Sequence, residues 1–275
     1  MGKEVDVVIS GGSVEGICDA VGFLKAITKD LGLKIASGAG TSAGAIILGA
    51  HAAGHSADEI EELVAHAKFS NWISLPKWYN FIRIGRVLKN GWLSDGENLL
   101  NYLGELTFHK RFRDVNFDLH LAGTDMNAAK VRDFNEISDP DMSLALAMRI
   151  SCSVPGCFKP PEYDGSVWYD GSIRSHYPAE LVPFSDRPFY GFLASHVNGG
   201  KLRSLSGTFG TFLKLVDNSI NINVRYSTQM AQRRPITVFH TGEGDHGWKV
   251  SRHERTQMIE AARVATIQTI GPTLQ

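Results

Sequence analysis

Leu33–Ala53 reads LKIASGAGTSAGAIILGAHAA, and this stretch decides the fold. Leu33–Ala36 has the look of a short buried strand, broken by Gly38 and Gly40. From Ala43 to about Ala53 small apolar residues suit a helix. Between them stands Gly40-Thr41-Ser42-Ala43-Gly44, a G-x-S-x-G pentapeptide on a strand-to-helix turn, the form of a nucleophile elbow. The chemistry needs this pattern. A nucleophilic serine must sit on a tight, strained turn, and flanking glycines let neighbouring backbone approach without Cβ clashes. The helix that starts just after it offers free N–H groups and a positive dipole end to a developing oxyanion. A chain of this length holds roughly 0.1 such pentapeptides by chance. The plainer reading is a glycine-rich turn with an incidental serine.

The same arrangement occurs once upstream. Val5–Ser10 reads as a buried strand, Gly11-Gly12 ends it, and Gly16 to about Lys29 reads as a helix with Ile17, Ala20, Val21, Leu24 and Ile27 at helical spacing. Strand, glycine turn and helix, twice over, point to an α/β fold with parallel strands: a central, mostly parallel β-sheet sandwiched between helices in three layers. The first turn, Gly11-Gly12-Ser13-Val14-Glu15-Gly16, has two functional readings. As a dinucleotide fingerprint it lacks the middle glycine, and Leu33–Ala36 and the turn after it supply no acidic residue for a ribose. As an oxyanion loop, its N–H groups share a space above the sheet with the elbow. Only that second reading explains both turns with one chemistry.

Further along, Ala57–Lys68 suits a helix and Phe117–Ala122 a strand leading into a Gly123-Thr124-Asp125 turn. Ser143–Ile150 suits a short apolar helix, and Val167–Tyr169 a strand ending at Asp170-Gly171. Tyr190–Ala194 and Ile236–His240 read as late strands. Ser251–Ile270 reads as a closing amphipathic helix with Met258, Ile259, Ala262, Ala265 and Ile270 on its apolar side. No internal repeat or flexible linker interrupts the chain, so one domain over residues 1–275 is expected.

Hydrophobic residues make up 43% of the 275 and charged residues 21%, the composition of a globular protein, and the net charge of −1 gives no global field for nucleic acid. Cys18, Cys152 and Cys157 form neither a disulfide framework nor a zinc pattern, and buried thiols in a reducing compartment are expected. The N-terminus runs straight into a strand without a signal-peptide pattern, and the apolar run Ala45–Ala53 is too short to span a bilayer. These features lead to the expectation of a cytoplasmic protein, with any membrane association peripheral.

Phe69–Leu93 differs in character. Trp72, Trp78 and Trp92 fall here with Tyr79 and Phe81, interleaved with Lys77, Arg83, Arg86 and Lys89, and Lys68 precedes them. Aromatics among cations suit a membrane interface, where rings lie at head-group depth and cations meet phosphate. Residues 69–93 are therefore a candidate lid or membrane-facing insertion; the alternative is a packed insertion with solvated cations.

The last chemical signal is Asp170, in Trp168-Tyr169-Asp170-Gly171-Ser172. By itself, aspartate before glycine is commonly a turn. The order of all three motifs resembles that of the patatin-like phospholipases, with a glycine-rich oxyanion loop, a G-x-S-x-G elbow and a D-G-[AG] motif. LHLAGTD (Leu119–Asp125), LALAMRISCSVPGCFKPP (Leu144–Pro161) and YDGSIRSHYP (Tyr169–Pro178) also resemble family segments, so that the likeness spans about residues 4–196. The resemblance implies a Ser–Asp dyad of Ser42 and Asp170, an oxyanion hole from Gly11, Gly12 and Ser13 with the Ala43 N–H, and a phospholipid, lysophospholipid or other acyl-ester substrate. It implies no metal and no cofactor. The chain departs from the family at Ser13, in place of a third glycine, and at Glu15, in place of a basic residue, so a catalytically weak lipid- or effector-binding member of the same fold is the alternative, as is an acyltransferase using the same elbow. Asp170 as sole base requires a partly dehydrated site that raises its pKa. His176, His196, His240, His246 and His253 could serve a Ser–Asp–His order but sit in no distinctive motif, and His176 lies nearest the Asp170 segment.

Overall fold

The computed structural model describes residues 2–72, 89–194, 229–240 and 250–274. Strand β1 (Glu4–Ile9) leads into helix α1 (Ser13–Lys25), which continues as a π-helical turn to Asp30. Strand β2 (Lys34–Gly40) is followed by helices α2 (Ala43–Ala52) and α3 (Ala57–His66). After the gap come β3 (Trp92–Ser94), α4 (Glu97–Leu106), β4 (Asp118–Asp125), β5 (Lys130–Phe134), α5 (Leu144–Ser151), β6 (Gly156–Phe158), β7 (Glu162–Tyr163), β8 (Ser166–Asp170), β9 (Phe189–Ala194), β10 (Ile236–His240) and α6 (Arg252–Ile270).

The architecture is a three-layer α/β fold around a central mixed sheet. Five strands run parallel in the order β10-β9-β1-β2-β4, and β5 and β8 pair antiparallel with β4. Side chains on β1 alternate between two cores, as strand geometry requires. Val5, Val7 and Ile9 join the large core under the helices, whereas Val8 faces a smaller one with Tyr177, Val182 and Leu193. Among the described residues, the first face carries the helices, and the 3₁₀ turns Gly171–Ile173 and Ala179–Leu181 lie in the segment that covers the second.

Helix starts follow local sequence. Ser56 and Glu59 form a reciprocal capping box at α3, Ser251 and Glu254 form another at α6, and the Ser143 hydroxyl accepts the Leu146 N–H at α5. The closing helix is bound into the core layer: Arg255 donates to the carbonyls of Val64, Ala65 and Ala67 at the end of α3, and its guanidinium lies 4.8 Å from the Phe69 ring centre. It thereby satisfies carbonyls that a helix end leaves without partners.

One helix start and two strand ends differ from the sequence reading, all at glycine-rich segments. Helix α1 begins at Ser13, inside the first glycine loop, three residues before Gly16. Strand β2 runs through Gly38 and Gly40 to the elbow, because parallel pairing with β1 and β4 holds the backbone extended there despite the glycines. Strand β4 likewise runs through Gly123-Thr124-Asp125, which is paired on both edges and is no turn. Strands β3, β5, β6 and β7 and helix α4 carry no signal that sequence periodicity singled out. Among the described residues no helix is long and apolar enough to cross a membrane.

Of the segment 69–93, residues 73–88 lie outside the described residues, Trp78, Arg83 and Arg86 among them. Its N-terminal end is packed, whereas Lys89, Asn90 and Gly91 at the other end are exposed. Trp72 is buried edge-on against Phe69 (ring centres 4.7 Å apart) and beside Tyr102 (5.2 Å), and Trp92 opens β3, which pairs with β6.

Candidate active site

Ile9 of β1 and Gly40 of β2 are paired neighbours, so the two glycine turns leave the sheet side by side. The helices that follow start in contact: a Cβ built on Gly16 would lie 3.5 Å from the Ala43 Cβ. Two helix N-termini, each with a positive dipole end and unpaired N–H groups, converge there.

Ser42 sits at the apex of the elbow with φ 51° and ψ −112°, a conformation strained for a residue with a Cβ. The glycines on either side are there for close approach. A Cβ on Gly44 would collide with the Ile9 carbonyl, and one on Gly40 would lie 2.8 Å from the Gly44 backbone. The turn is tied down throughout. Thr41 N–H donates to Ile9 O (3.3 Å), the Thr41 hydroxyl to Ser175 O (2.8 Å) and Gly44 N–H to Ser10 O (3.2 Å). Ser42 N–H donates to Ser151 Oγ at 2.9 Å. Ala43 opens α2, and its N–H therefore has no acceptor within the helix.

Asp170 ends β8, and sheet registry delivers it to the elbow. Strand β4 pairs on one edge with β2 over Asp118–Leu121 and with β8 over Gly123–Asp125. Residues Leu121 and Gly123 both have their other edge filled by β5, so β2 and β8 share a single lane. The Asp170 N–H donates to Ser153 O (3.0 Å), its carbonyl accepts the Thr124 hydroxyl (2.8 Å), and Oδ1 accepts Ser172 N–H (2.8 Å). The residue is only 2% exposed. Oδ2 is buried and has no hydrogen bond of ordinary geometry among the described residues. Burial pushes the carboxyl up to about 6, opposed by the Ser172 N–H and hydroxyl and by the Ser42 hydroxyl. Ser42 is thus near enough to favour the carboxylate without closing a normal hydrogen bond on Oδ2, a loose arrangement common before substrate binds.

The glycine loop works differently from the sequence expectation in one respect. Gly11 N–H donates to His176 O at 3.0 Å, so that amide is spoken for. What Gly11 contributes is space: a Cβ there would lie 2.6 Å from Ser172 Oγ and 2.9 Å from His176 Cε1. The Gly12 and Ser13 amides, at the N-cap and first position of α1, have no acceptor within the helix and none among the described residues. Ser13 takes φ 60° with an exposed side chain. The two glycine turns therefore leave the sheet side by side, Asp170 comes to the elbow from β8, and Gly11 packs against Ser172 and His176.

His176 is buried with its ring beside Gly11, while His253 is exposed on the first turn of α6, and His240 ends β10. His196 and His246 lie outside the described residues. Cys18 and Cys152 are buried, and Cys157 is half-buried; burial raises the thiols of Cys18 to about 12 and Cys157 to about 11, and Cys152 further still. They stay protonated at neutral pH. Among the described residues no three His, Cys, Asp or Glu side chains are grouped to hold a metal ion.

Sequence reasoning passed over Ser151, Ser153 and Arg149, which back the site. Arg149 is buried and donates to the carbonyls of Asp95, Gly96 and Lys159 and to the Ser153 hydroxyl. The available signal was the run of small residues Ser151-Cys152-Ser153 directly after an apolar helix, with an arginine inside that helix.

The sequence model of the family described as patatin-like phospholipase matches residues 7–183. Among curated proteins, the chain is 25% identical over 188 residues to a probable lipid hydrolase of Invertebrate iridescent virus 6, covering 64% of this chain and 62% of that one. It is 28% identical over 200 residues to the protein YqhO of Bacillus subtilis, covering 64% and 66%. The chain thus spans somewhat under two thirds of the length of these relatives. Among solved structures, VipD from Legionella pneumophila superposes with a TM-score of 0.55 at 13% identity, over 98% of this chain and 67% of that one. The type III effector protein ExoU superposes with a TM-score of 0.53 at 14% identity, over 98% and 53%. At such identities the superpositions speak for the fold.

Proposed function

Because the chain belongs to the patatin-like phospholipase family, we propose that it is a lipid ester hydrolase that cleaves fatty-acyl esters of phospholipids or lysophospholipids, with Ser42 as nucleophile and Asp170 as general base. One observation carries the reading: a buried carboxyl raised to about 6 stands beside a serine on a strained elbow. A carboxylate with an ordinary pKa is a weak base toward an alcohol, and raising it toward the working pH improves the proton transfer.

In the first step the Ser42 proton passes to Asp170 Oδ2 as Ser42 Oγ bonds to the ester carbonyl carbon. The carbonyl oxygen takes up the negative charge, which the N–H groups of Gly12, Ser13 and Ala43 meet at the converging ends of α1 and α2. Collapse breaks the bond to the leaving alkoxide, which takes the proton from Asp170, and leaves an acyl ester on Ser42. Water then repeats the sequence, giving its proton to Asp170 as it attacks and freeing the fatty acid and Ser42. Each oxyanion donor is worth about 3–4 kcal/mol of transition-state stabilisation.

Peripheral contact with lipid through residues 69–93 belongs to the same reading, on the strength of their cations and aromatics alone. The crowding of Gly11 by Ser172 and His176 weighs against a pyrophosphate at the first glycine loop.

The test is a fluorophosphonate label together with fatty-acid release from phosphatidylcholine and lysophosphatidylcholine. The expected result is labelling and release by the wild type, with both lost in Ser42→Ala and release lost in Asp170→Asn. A wild type that binds lipid vesicles but takes no label is instead a catalytically weak lipid-binding member of the family.

A further inference from the structure

Three consecutive residues hold both halves of the site. Ser42 N–H donates to Ser151 Oγ (2.9 Å), the Cys152 thiol donates to Ser42 O (3.5 Å), and Asp170 N–H donates to Ser153 O (3.0 Å). The side chains of Ser151 and Ser153 are completely buried. This step closes α5 and is anchored from one turn earlier: the Ser153 hydroxyl donates to the Arg149 carbonyl (2.7 Å) and accepts from its guanidinium. Helix α5 itself packs on β4, the strand that aligns β2 with β8.

The Thr41–Ser42 peptide is pinned at both ends. Its carbonyl accepts Gly44 N–H at 2.9 Å, within the elbow, while its N–H depends on a side chain 109 residues away in sequence. We infer that Ser151 is a positioning residue for the nucleophile: by accepting the Ser42 N–H, its hydroxyl oxygen fixes the Thr41–Ser42 peptide so that Ala43 N–H is the amide turned to the oxyanion. The strained Ser42 backbone stores a tendency to relax, and a buried N–H left without an acceptor adds to it. Rotation of that peptide moves the Ser42 Oγ away from Asp170 and the Ala43 N–H away from the oxyanion together. The inference rests on the reading of Ser42 as nucleophile.

The experiment uses the full chain in three forms, wild type, Ser151→Ala and Ser151→Thr, with two readouts. The first is inactivation by a fluorophosphonate, resolved into a maximal rate and a half-saturating concentration. The second is amide hydrogen exchange at Ser42, which needs no activity. In Ser151→Ala the maximal rate should fall about tenfold to a hundredfold, as for small displacements of reacting groups, with half-saturation little changed. Ser151→Thr, which keeps the acceptor, should recover most of the rate, and the pH midpoint near 6 should persist because Asp170 is untouched. Ser42 exchange should accelerate in Ser151→Ala and stay slow in Ser151→Thr. A wild-type maximal rate in Ser151→Ala overturns the inference, as does unchanged exchange at Ser42. Equal losses of rate in the alanine and threonine variants also overturn it, since packing would then be the cause. A wild type that takes no label sinks the nucleophile reading itself, and the exchange data then still decide whether Ser151 holds the elbow.

Discussion

Gly40 and Asp170 stand at the facing ends of two strands in one lane: Gly40 pairs with Leu121 and Asp170 with Gly123 along the same edge of β4. Only the position opposite Ala122 separates them. Because β2 and β8 run toward each other, the turn after Gly40 and the carboxylate of Asp170 meet over that gap. A parallel strand supplies the serine, and an antiparallel one returns the acid to it.

That placement sets the pH behaviour. Hydrolysis should rise with pH through about 6, where Asp170 loses its proton, and level off above. Stability carries the opposite sign. A carboxyl whose folded pKa lies above its unfolded value binds its proton more tightly in the native state, so its contribution is most favourable below about pH 4 and is lost as pH rises through about 6. Asp170→Asn should therefore abolish turnover and stabilise the fold at pH 8 by about 1–3 kcal/mol, with the gain shrinking toward pH 4. Denaturant unfolding of both proteins at the two pH values measures it; equal stabilities at pH 8 would contradict the raised pKa.

Ser42 bears backbone strain that glycine would not. Ser42→Gly should raise stability by about 1–2 kcal/mol while removing all labelling, and Ser42→Ala should remove labelling without that gain. Urea midpoints of the three proteins separate the cases.

Gly44→Ala should be far more damaging than its size suggests. The new methyl would meet the Ile9 carbonyl, which the pairing of β1 with β2 holds in place. A loss of roughly 3 kcal/mol or more is expected, seen as a lowered melting temperature or insoluble protein. A variant as stable as the wild type would mean that the elbow is looser than described.

The oxyanion loop offers a contrasting pair. Ser13→Gly relieves a left-handed conformation and keeps the amide, so stability should rise by about 1 kcal/mol with turnover preserved. Gly11→Ala keeps the backbone donors but presses on Ser172 and His176, displacing the residue whose N–H holds Asp170 Oδ1. Turnover should fall at least about tenfold in Gly11→Ala with less effect on half-saturation. Steady-state kinetics on both variants checks this, and a fully active Gly11→Ala would remove Gly11 from the site.

The elbow, the first glycine loop and their flanking strands and helices were legible because their signals are local. Gly40 and Gly44 bracket Ser42 within five residues, and Ile17 to Ile27 repeat with the period of one helix. Asp170 was legible only through its family-like surroundings, since aspartate before glycine says little by itself. The glycines misled at the strand ends: Gly38, Gly40 and Gly123 look like breakers, yet ladder pairing on both sides holds them extended. Hydrogen bonds to neighbouring strands outweighed their intrinsic preference. Short strands such as β6 and β7 have too few residues to show a period.

By itself the sequence determined that two strand–glycine–helix units follow one another, that a serine occupies the apex of the second, and that an aspartate ends a later aromatic strand. Those are consequences of local sterics, which nearest neighbours set. Only the tertiary structure decided that β2 and β8 share an edge of β4, that Gly11 gives up its amide to His176, and that Ser151-Cys152-Ser153 holds both Ser42 and Asp170. Each of these depends on which distant group meets a particular backbone N–H or C=O, and strand pairing and burial settle that across more than a hundred residues of chain.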